Sequence, residues 1–135
     1  MNRCAPSLLA LALACTGVLA TLAPAPVAAQ SAHRSFTKAA LRGKIAFGAP
    51  PAITMNGIAT TLAPGYRVHG VDNLIVMTAQ LVGGTATVDY TTDVEGHVYE
   101  VWILSPTEAA KLWPVAREQA AAWKFDQFAQ TWTKP

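Results

Sequence analysis

Residues 52–62 read AITMNGIATTL and contain the strongest β-hairpin signal of the chain. Two short runs of strand-forming residues flank Asn56 and Gly57. Both central positions of a type I′ hairpin turn need a positive φ, which Asn and Gly adopt most readily. The segment therefore predicts an antiparallel β-hairpin, with one strand at residues 52–55 and the other at residues 58–62.

Further strand-like runs lie on both sides of this hairpin, and turns rich in glycine and proline separate them. The additional predicted strands are residues 44–47, 66–69, 74–81, 85–91 and 97–104. Residues 74–81 are almost continuously apolar, which is typical of a strand buried on both faces. The sequence predicts a mainly β fold: a small antiparallel barrel or sandwich of about seven short strands, followed by a C-terminal helical segment.

The helical segment begins at a clear capping pattern. Ser105 can cap the helix, Pro106 suits the first helical position, and Glu108 completes a capping box with Ser105. We expect this helix to run to about Trp113. A second helix is predicted over residues 115–125, which are rich in Ala, Gln, Glu and Lys.

Residues 1–29 have the composition of a secretory signal peptide. Arg3 is their only charge, a long Leu- and Ala-rich run follows it, and small residues precede the expected cleavage after Ala29. This predicts export to the periplasm, with no membrane span after cleavage. An uncleaved membrane anchor is one alternative. A lipoprotein is another, because residues 12–15 approach a lipidation box ending at Cys15.

Four regions follow from this division. We expect a signal peptide at residues 1–29, a polar leader at 30–43, a β domain at 44–104 and a helical, aromatic segment at 105–135. In the leader, Arg34, Lys38 and Arg42 are spaced four residues apart and would lie on one face of a short helix. Such a face is either a basic stripe that touches anionic envelope material or an ordinary solvated surface.

Composition excludes several classes of function. The 135-residue chain is 52% hydrophobic and carries a formal net charge of +2, which argues against a nucleic-acid-binding protein. Both cysteines, Cys4 and Cys15, lie in the predicted signal peptide, so thiol catalysis, zinc–thiolate sites and disulfides are not expected. No nucleophile elbow or phosphate-binding loop is present. We therefore predict no cofactor and favour a non-catalytic protein.

The predicted hairpin bounded by Asp89 and Glu100 could support chemistry. Asp93, Glu95 and His97 could offer ligands to a hard cation, with Asp89 or Glu100 joining them from the neighbouring strand. The acidic residues could also act as an acid–base pair in a cleft. Charged hairpin tips are usually only solvated, so we assign no metal ligand and no catalytic residue. A small periplasmic enzyme or a metal-dependent binder remains the alternative function.

Two features favour binding. Residues 45–66 and 73–88 carry no charge, which is typical either of interior strands or of a strand edge that pairs with a partner. The C-terminal region is crowded with aromatic residues, which either fold back over the barrel or form a docking arm. The predicted partner-binding residues are Trp123, Phe125, Phe128 and Trp132, and the expected partner is an envelope protein or an anionic envelope surface.

Many turn and strand residues between Arg42 and Glu108 occur in an order that resembles a family of small, uncharacterised exported proteins of proteobacteria. They include Gly43, Pro50, Asn56, Gly57, Pro64, Gly65, Arg67, Asn73, Gly83, Tyr90, Gly96 and Trp102. The resemblance implies a Gram-negative periplasm and transfers no catalytic residue. Together these features predict an exported, non-catalytic binding module of the cell envelope, and they leave its oligomeric state open.

Overall fold

A computed structural model describes residues 33–135 of the chain. The predicted signal peptide, its cleavage site and the lipoprotein alternative therefore lie outside the described residues. Within the described part of the chain, no helix is both long and apolar enough to cross a membrane.

Five strands close into a barrel, which confirms the predicted mainly β fold. They are β1 (Leu41–Phe47), β2 (Ala52–Met55), β3 (Ile58–His69), β4 (Thr85–Thr92) and β5 (Val98–Ile103). Around the barrel the strands follow the order β1-β2-β3-β5-β4, and β4 pairs with β1 to close the ring. All neighbours are antiparallel except β3 and β5, which run parallel. The order β4-β1-β2-β3 within this ring is that of a Greek key, so the domain is a closed, five-stranded Greek-key barrel.

The predicted hairpin forms between β2 and β3. Asn56 and Gly57 have φ values of 52° and 82°, the left-handed conformations that the turn requires. The Asn56 side chain also accepts a hydrogen bond of 2.8 Å from the backbone N–H of Lys44. The turn is therefore joined to β1 as well as to its own two strands.

The prediction of a buried strand at residues 74–81 is wrong. The segment contains a 3₁₀ turn at Thr78–Gln80, and the side chains of Leu74 and Met77 are 66% and 67% exposed. The physical reason is the β3–β5 pairing. β5 occupies the place beside β3, so the ring closes without this segment, whose strand-like pairing is limited to an isolated bridge between His69 and Ile75.

Several element boundaries also differ from the predictions. The predicted strands at residues 58–62 and 66–69 form the single strand β3, which is irregular between Leu62 and Arg67. The helices are short: α1 is Pro106–Ala109 and α2 is Arg117–Ala122. The capping box at the start of α1 is present as predicted.

The C-terminal residues form a second, two-stranded sheet that the sequence did not predict. Its strands are β6 (Lys124–Asp126) and β7 (Thr131–Thr133). The backbone leaves the helical conformation at Trp123, where ψ is 155°. The helix predicted over residues 115–125 therefore ends early, because an extended backbone lets Phe125 lie opposite Trp132.

Residues 33–40 contain no helix, so the predicted basic face is wrong. Arg34 is only 7% exposed and binds Glu108, whereas Arg42 binds the buried Asp89. Lys38 alone of the three basic residues remains exposed. The guanidinium groups of Arg34 and Arg42 point inward because each donates hydrogen bonds both to a carboxylate and to backbone carbonyls.

Two hydrophobic clusters organise the molecule. The barrel core contains buried residues of all five strands: Ile45, Phe47, Ile53, Met55, Leu62, Val68, Val88, Val98 and Val101. The second group, which we call the aromatic cluster, lies around the outer face of β5. Its buried members are Phe36, Ala40, Trp102, Leu104, Trp113 and Trp132, with Trp123 and Phe125 partly buried against them.

Candidate binding groove

A groove of about 630 Å³ lies beside the aromatic cluster. We call it the aromatic groove. Its aromatic lining is provided by Trp123, Phe125 and Trp132, and two lysines, Lys38 and Lys124, also line it. Three of the four residues that the sequence predicted for partner binding thus meet at one site.

The sheet of β6 and β7 positions these aromatic side chains. Phe125 and Trp132 lie directly opposite each other in the strand register, and their ring centroids are 4.7 Å apart. Trp113 packs edge-on against both rings at 5.6 and 5.9 Å. The indole N–H of Trp113 donates a 2.9 Å hydrogen bond to the carbonyl of Ala40, so this support is fixed to the start of the barrel. The aromatic lining is therefore held in place before any ligand arrives.

Trp132 carries an unsatisfied hydrogen-bond donor. The residue is 6% exposed, and its buried Nε1 has no hydrogen-bond acceptor among the described residues. Leaving a buried donor unpaired costs about 1–3 kcal/mol.

The charge of the aromatic groove is positive. Besides Lys38 and Lys124, Lys134 holds its ammonium 5.3 Å from the centre of the Trp123 ring. Over residues 33–135, the ion pairs involve arginine or histidine and none of these three lysines. The lysines are thus available to an anionic ligand, and the aromatic rings below them offer an apolar contact.

Phe128, the fourth predicted residue, does not line the aromatic groove, but it lines a neighbouring groove together with Lys124 and Phe125. It is 96% exposed in the turn between β6 and β7, where its backbone N–H donates to Asp126 Oδ1 at 2.9 Å. Lys38 belonged to the basic stripe predicted in the leader, but the other two lysines were not predicted as site residues. The sequence signal for Lys124 is its alternation with Phe125, which becomes informative once the region is known to be a strand.

A second group of side chains meets in the loop between β4 and β5. His97 Nδ1 lies 3.5 Å from Asp93 Oδ2 and 3.4 Å from Glu95 Oε2. Ligand atoms of all three residues lie within 4.8 Å of one another. Partial desolvation raises the pKa of Asp93, but hydrogen bonds from the backbone N–H groups of His97 and Glu95 outweigh it and hold that pKa below its usual value.

The predicted participation of Asp89 and Glu100 in this group is wrong. Asp89 is completely buried, and its two oxygens accept hydrogen bonds of 2.9 and 3.2 Å from Arg42. Glu100 lies 3.0 Å from His69 Nε2 across the β3–β5 pair. Each carboxylate is therefore held by a partner on a neighbouring strand, away from the loop.

The fold and the groove define a small Greek-key β-barrel whose C-terminal hairpin covers one face and presents an aromatic, positively charged site. Comparisons with protein-family models, with curated proteins and with solved structures find no match for the chain.

Proposed function

We propose that this protein is an exported binding module of the cell envelope and that it holds an anionic component of the envelope in the aromatic groove. The observation that carries the proposal is the combination of aromatic side chains and lysines without ion-pair partners among the described residues at one concave site. Export is supported by the predicted signal peptide at residues 1–29.

Binding explains this groove better than catalysis. The described residues that line it include no carboxylate, histidine, serine or cysteine, so the lining offers no group suited to act as general base or nucleophile at neutral pH. Lysines act on anions mainly by charge, and aromatic rings add apolar contact. The ligand chemistry that fits is a phosphate or carboxylate carried next to an apolar or ring-shaped group.

The test is a titration of tryptophan fluorescence with two anionic probes, inorganic polyphosphate and phosphatidylglycerol vesicles, and with neutral phosphatidylcholine vesicles for comparison. We expect binding to the anionic probes, and we expect Lys124→Glu to weaken it about tenfold or more. The matched control is Lys44→Glu, a charge reversal at an exposed lysine on β1. Equal effects of the two substitutions, or no binding to either anionic probe, would contradict the proposal. The two probes distinguish a free phosphate chain from a lipid headgroup.

The second candidate function is metal-dependent binding at Asp93, Glu95 and His97. The observation in its favour is the convergence of their three ligand atoms. A groove of about 520 Å³, lined by Tyr90 and Arg117 among others, adjoins Asp93 and could admit a ligand beside the ion. A cation that binds only the folded protein must raise its melting temperature. We expect Mn²⁺ or Zn²⁺ to do so in the parent and in Asp72→Asn, but not in Asp93→Asn. An unchanged melting temperature in the parent rejects this candidate.

A further inference from the structure

The exposed apolar segment at residues 71–82 requires an explanation that the barrel does not provide. Five of its side chains are more than half exposed: Val71, Leu74, Ile75, Met77 and Val82. Several exposed apolar side chains within one short segment of a small protein often mark an interaction site. We call this segment the apolar face.

The apolar face is a fixed surface. The backbone N–H of Val76 donates to the carbonyl of Val68 at 2.8 Å, and the hydroxyls of Tyr66 and Thr78 are 2.7 Å apart. Leu81 packs against the barrel core. These hydrogen bonds and this packing fix the backbone of the segment. The side chains of Ile75 and Met77 are therefore exposed in the folded protein itself.

The charges around the apolar face are balanced. Residues 73–88 carry no charge. Asp72 precedes them, and Arg67 lines a groove of about 370 Å³ together with Ile75 and Met77. Both charged residues are exposed, and neither belongs to an ion pair within the described part of the chain. An anionic membrane would need a cluster of basic residues, which this face lacks.

We propose that two copies of this chain pair through the apolar face about a two-fold axis. In such an interface the same patch is used by both copies, and each pair of contacts occurs twice. The uncharged centre can pack on itself without repulsion, and Arg67 of one copy can meet Asp72 of the other on each side. In this arrangement the five apolar side chains supply the centre of the interface, and Arg67 and Asp72 supply its rim. This inference is independent of the function proposed for the aromatic groove.

The test is sedimentation of protein expressed from the full-length sequence, over a wide range of concentration. We expect a dimer that dissociates on dilution. Met77→Lys places a charge in the apolar centre, and we expect it to weaken association about tenfold or more. Because Met77 is exposed, this substitution should leave the barrel folded, which far-UV circular dichroism would verify. Lys44→Glu is the control and should associate like the parent.

Charge reversal distinguishes self-pairing from every other occupant of the face. Arg67→Glu and Asp72→Arg each place like charges together in a dimer, so each variant alone should associate more weakly than the parent. A mixture of the two variants joins opposite charges at both contacts and should recover association. A parent that stays monomeric at all concentrations overturns the proposal. So does a mixture that associates no better than its components, including the case in which the face instead binds vesicles or another protein.

Discussion

The barrel core and the aromatic cluster are built on different physical principles. The buried members of the barrel core are nearly all aliphatic, carry no charge and come from strands that are hydrogen-bonded to one another. The aromatic cluster collects its members from separate stretches of the chain, and rings dominate it. β5 serves both, because Val101 faces the core while Trp102 lies in the aromatic cluster. The backbone hydrogen bonds between strands hold the barrel core, whereas the aromatic cluster needs additional contacts between distant segments.

Two buried ion pairs supply those contacts. Arg34 Nε donates to Glu108 at 2.9 Å, and its other nitrogens donate to the carbonyls of Gly70 and Ile103. Arg42 binds Asp89 and also donates to two carbonyls at the end of α1. Each arginine therefore joins chain segments that are far apart in sequence. A buried ion pair often adds little net stability compared with apolar residues of the same size. Removing only one of its two partners is strongly destabilising, because it leaves a buried charge without compensation.

The largest expected effect comes from breaking such an ion pair. Arg42→Ala would leave the carboxyl of Asp89, which is completely buried, without its cation. Since an uncompensated buried charge typically destabilises by about 3–5 kcal/mol, we expect a loss of this size in the free energy of unfolding, measured with urea. Lys44→Ala, on the same strand but exposed, should change it by less than about 0.5 kcal/mol. Similar losses for both variants would show that the ion pair does not stabilise the aromatic cluster.

A cavity in the barrel core should have the next largest effect. Ile45 is completely buried, and Ile→Ala substitutions in cores cost about 2–5 kcal/mol. We expect Ile45→Ala to lie near the middle of this range, while Ile58→Ala, at a 71% exposed position, costs less than about 1 kcal/mol.

Near-UV circular dichroism reports the aromatic cluster and far-UV circular dichroism reports the strands. Coincident transitions would show that both regions unfold together, and separate transitions that the cluster is an independent unit.

The second ion pair should appear in the pH dependence of stability. Burial raises the pKa of Glu108, but hydrogen bonds from Arg34 and Ser105 outweigh it and lower this pKa from 4.5 to about 2. Ionised Glu108 therefore stabilises the fold fully above about pH 4.5, and this contribution is lost as the pH falls toward 2. Burial keeps the pKa of Asp89 raised despite Arg42, so Asp89 contributes with the opposite sign. We expect the decrease in the free energy of unfolding between about pH 4.5 and pH 2, measured with urea, to be smaller in Glu108→Gln than in the parent. The decrease should be unchanged in Glu118→Gln, an exposed control on α2.

The smallest expected effect concerns the local support of that pair. The hydroxyl of Ser105 accepts the backbone N–H of Glu108, and the Glu108 carboxylate accepts the backbone N–H of Ser105 at 2.8 Å. Ser105→Ala removes the first of these bonds and should cost about 1 kcal/mol in thermal or urea unfolding. Thr107→Ala, an exposed substitution in the same turn, is the control. A cost well above this value would show that the cap also holds Glu108 against Arg34.

The capping box and the β2–β3 hairpin could be predicted because each depends on neighbouring residues. Ser105 and Glu108 are one helical turn apart, and Asn56 and Gly57 are adjacent. The burial of Arg34 could not be predicted, since its partner Glu108 lies 74 residues further along the chain. For the candidate site, aromatic crowding indicated Trp123, Phe125 and Trp132. It did not indicate that Lys38, from the segment before β1, and Lys124, on β6, would line the same groove.

Residues 74–81 are an example in which the local sequence pattern does not predict burial. A continuous apolar run does not by itself show that a segment lies in the barrel core, because apolar side chains also occur on protein surfaces. The parallel pairing of β3 with β5 closed the ring and placed this run on the surface. The β class, the β2–β3 turn and the helix cap follow from the sequence alone, because they depend on short-range backbone preferences and side-chain chemistry. Which apolar segments fill the core, and which arginines meet which carboxylates, depends on strand pairing between distant residues, so these features were seen first in the folded structure.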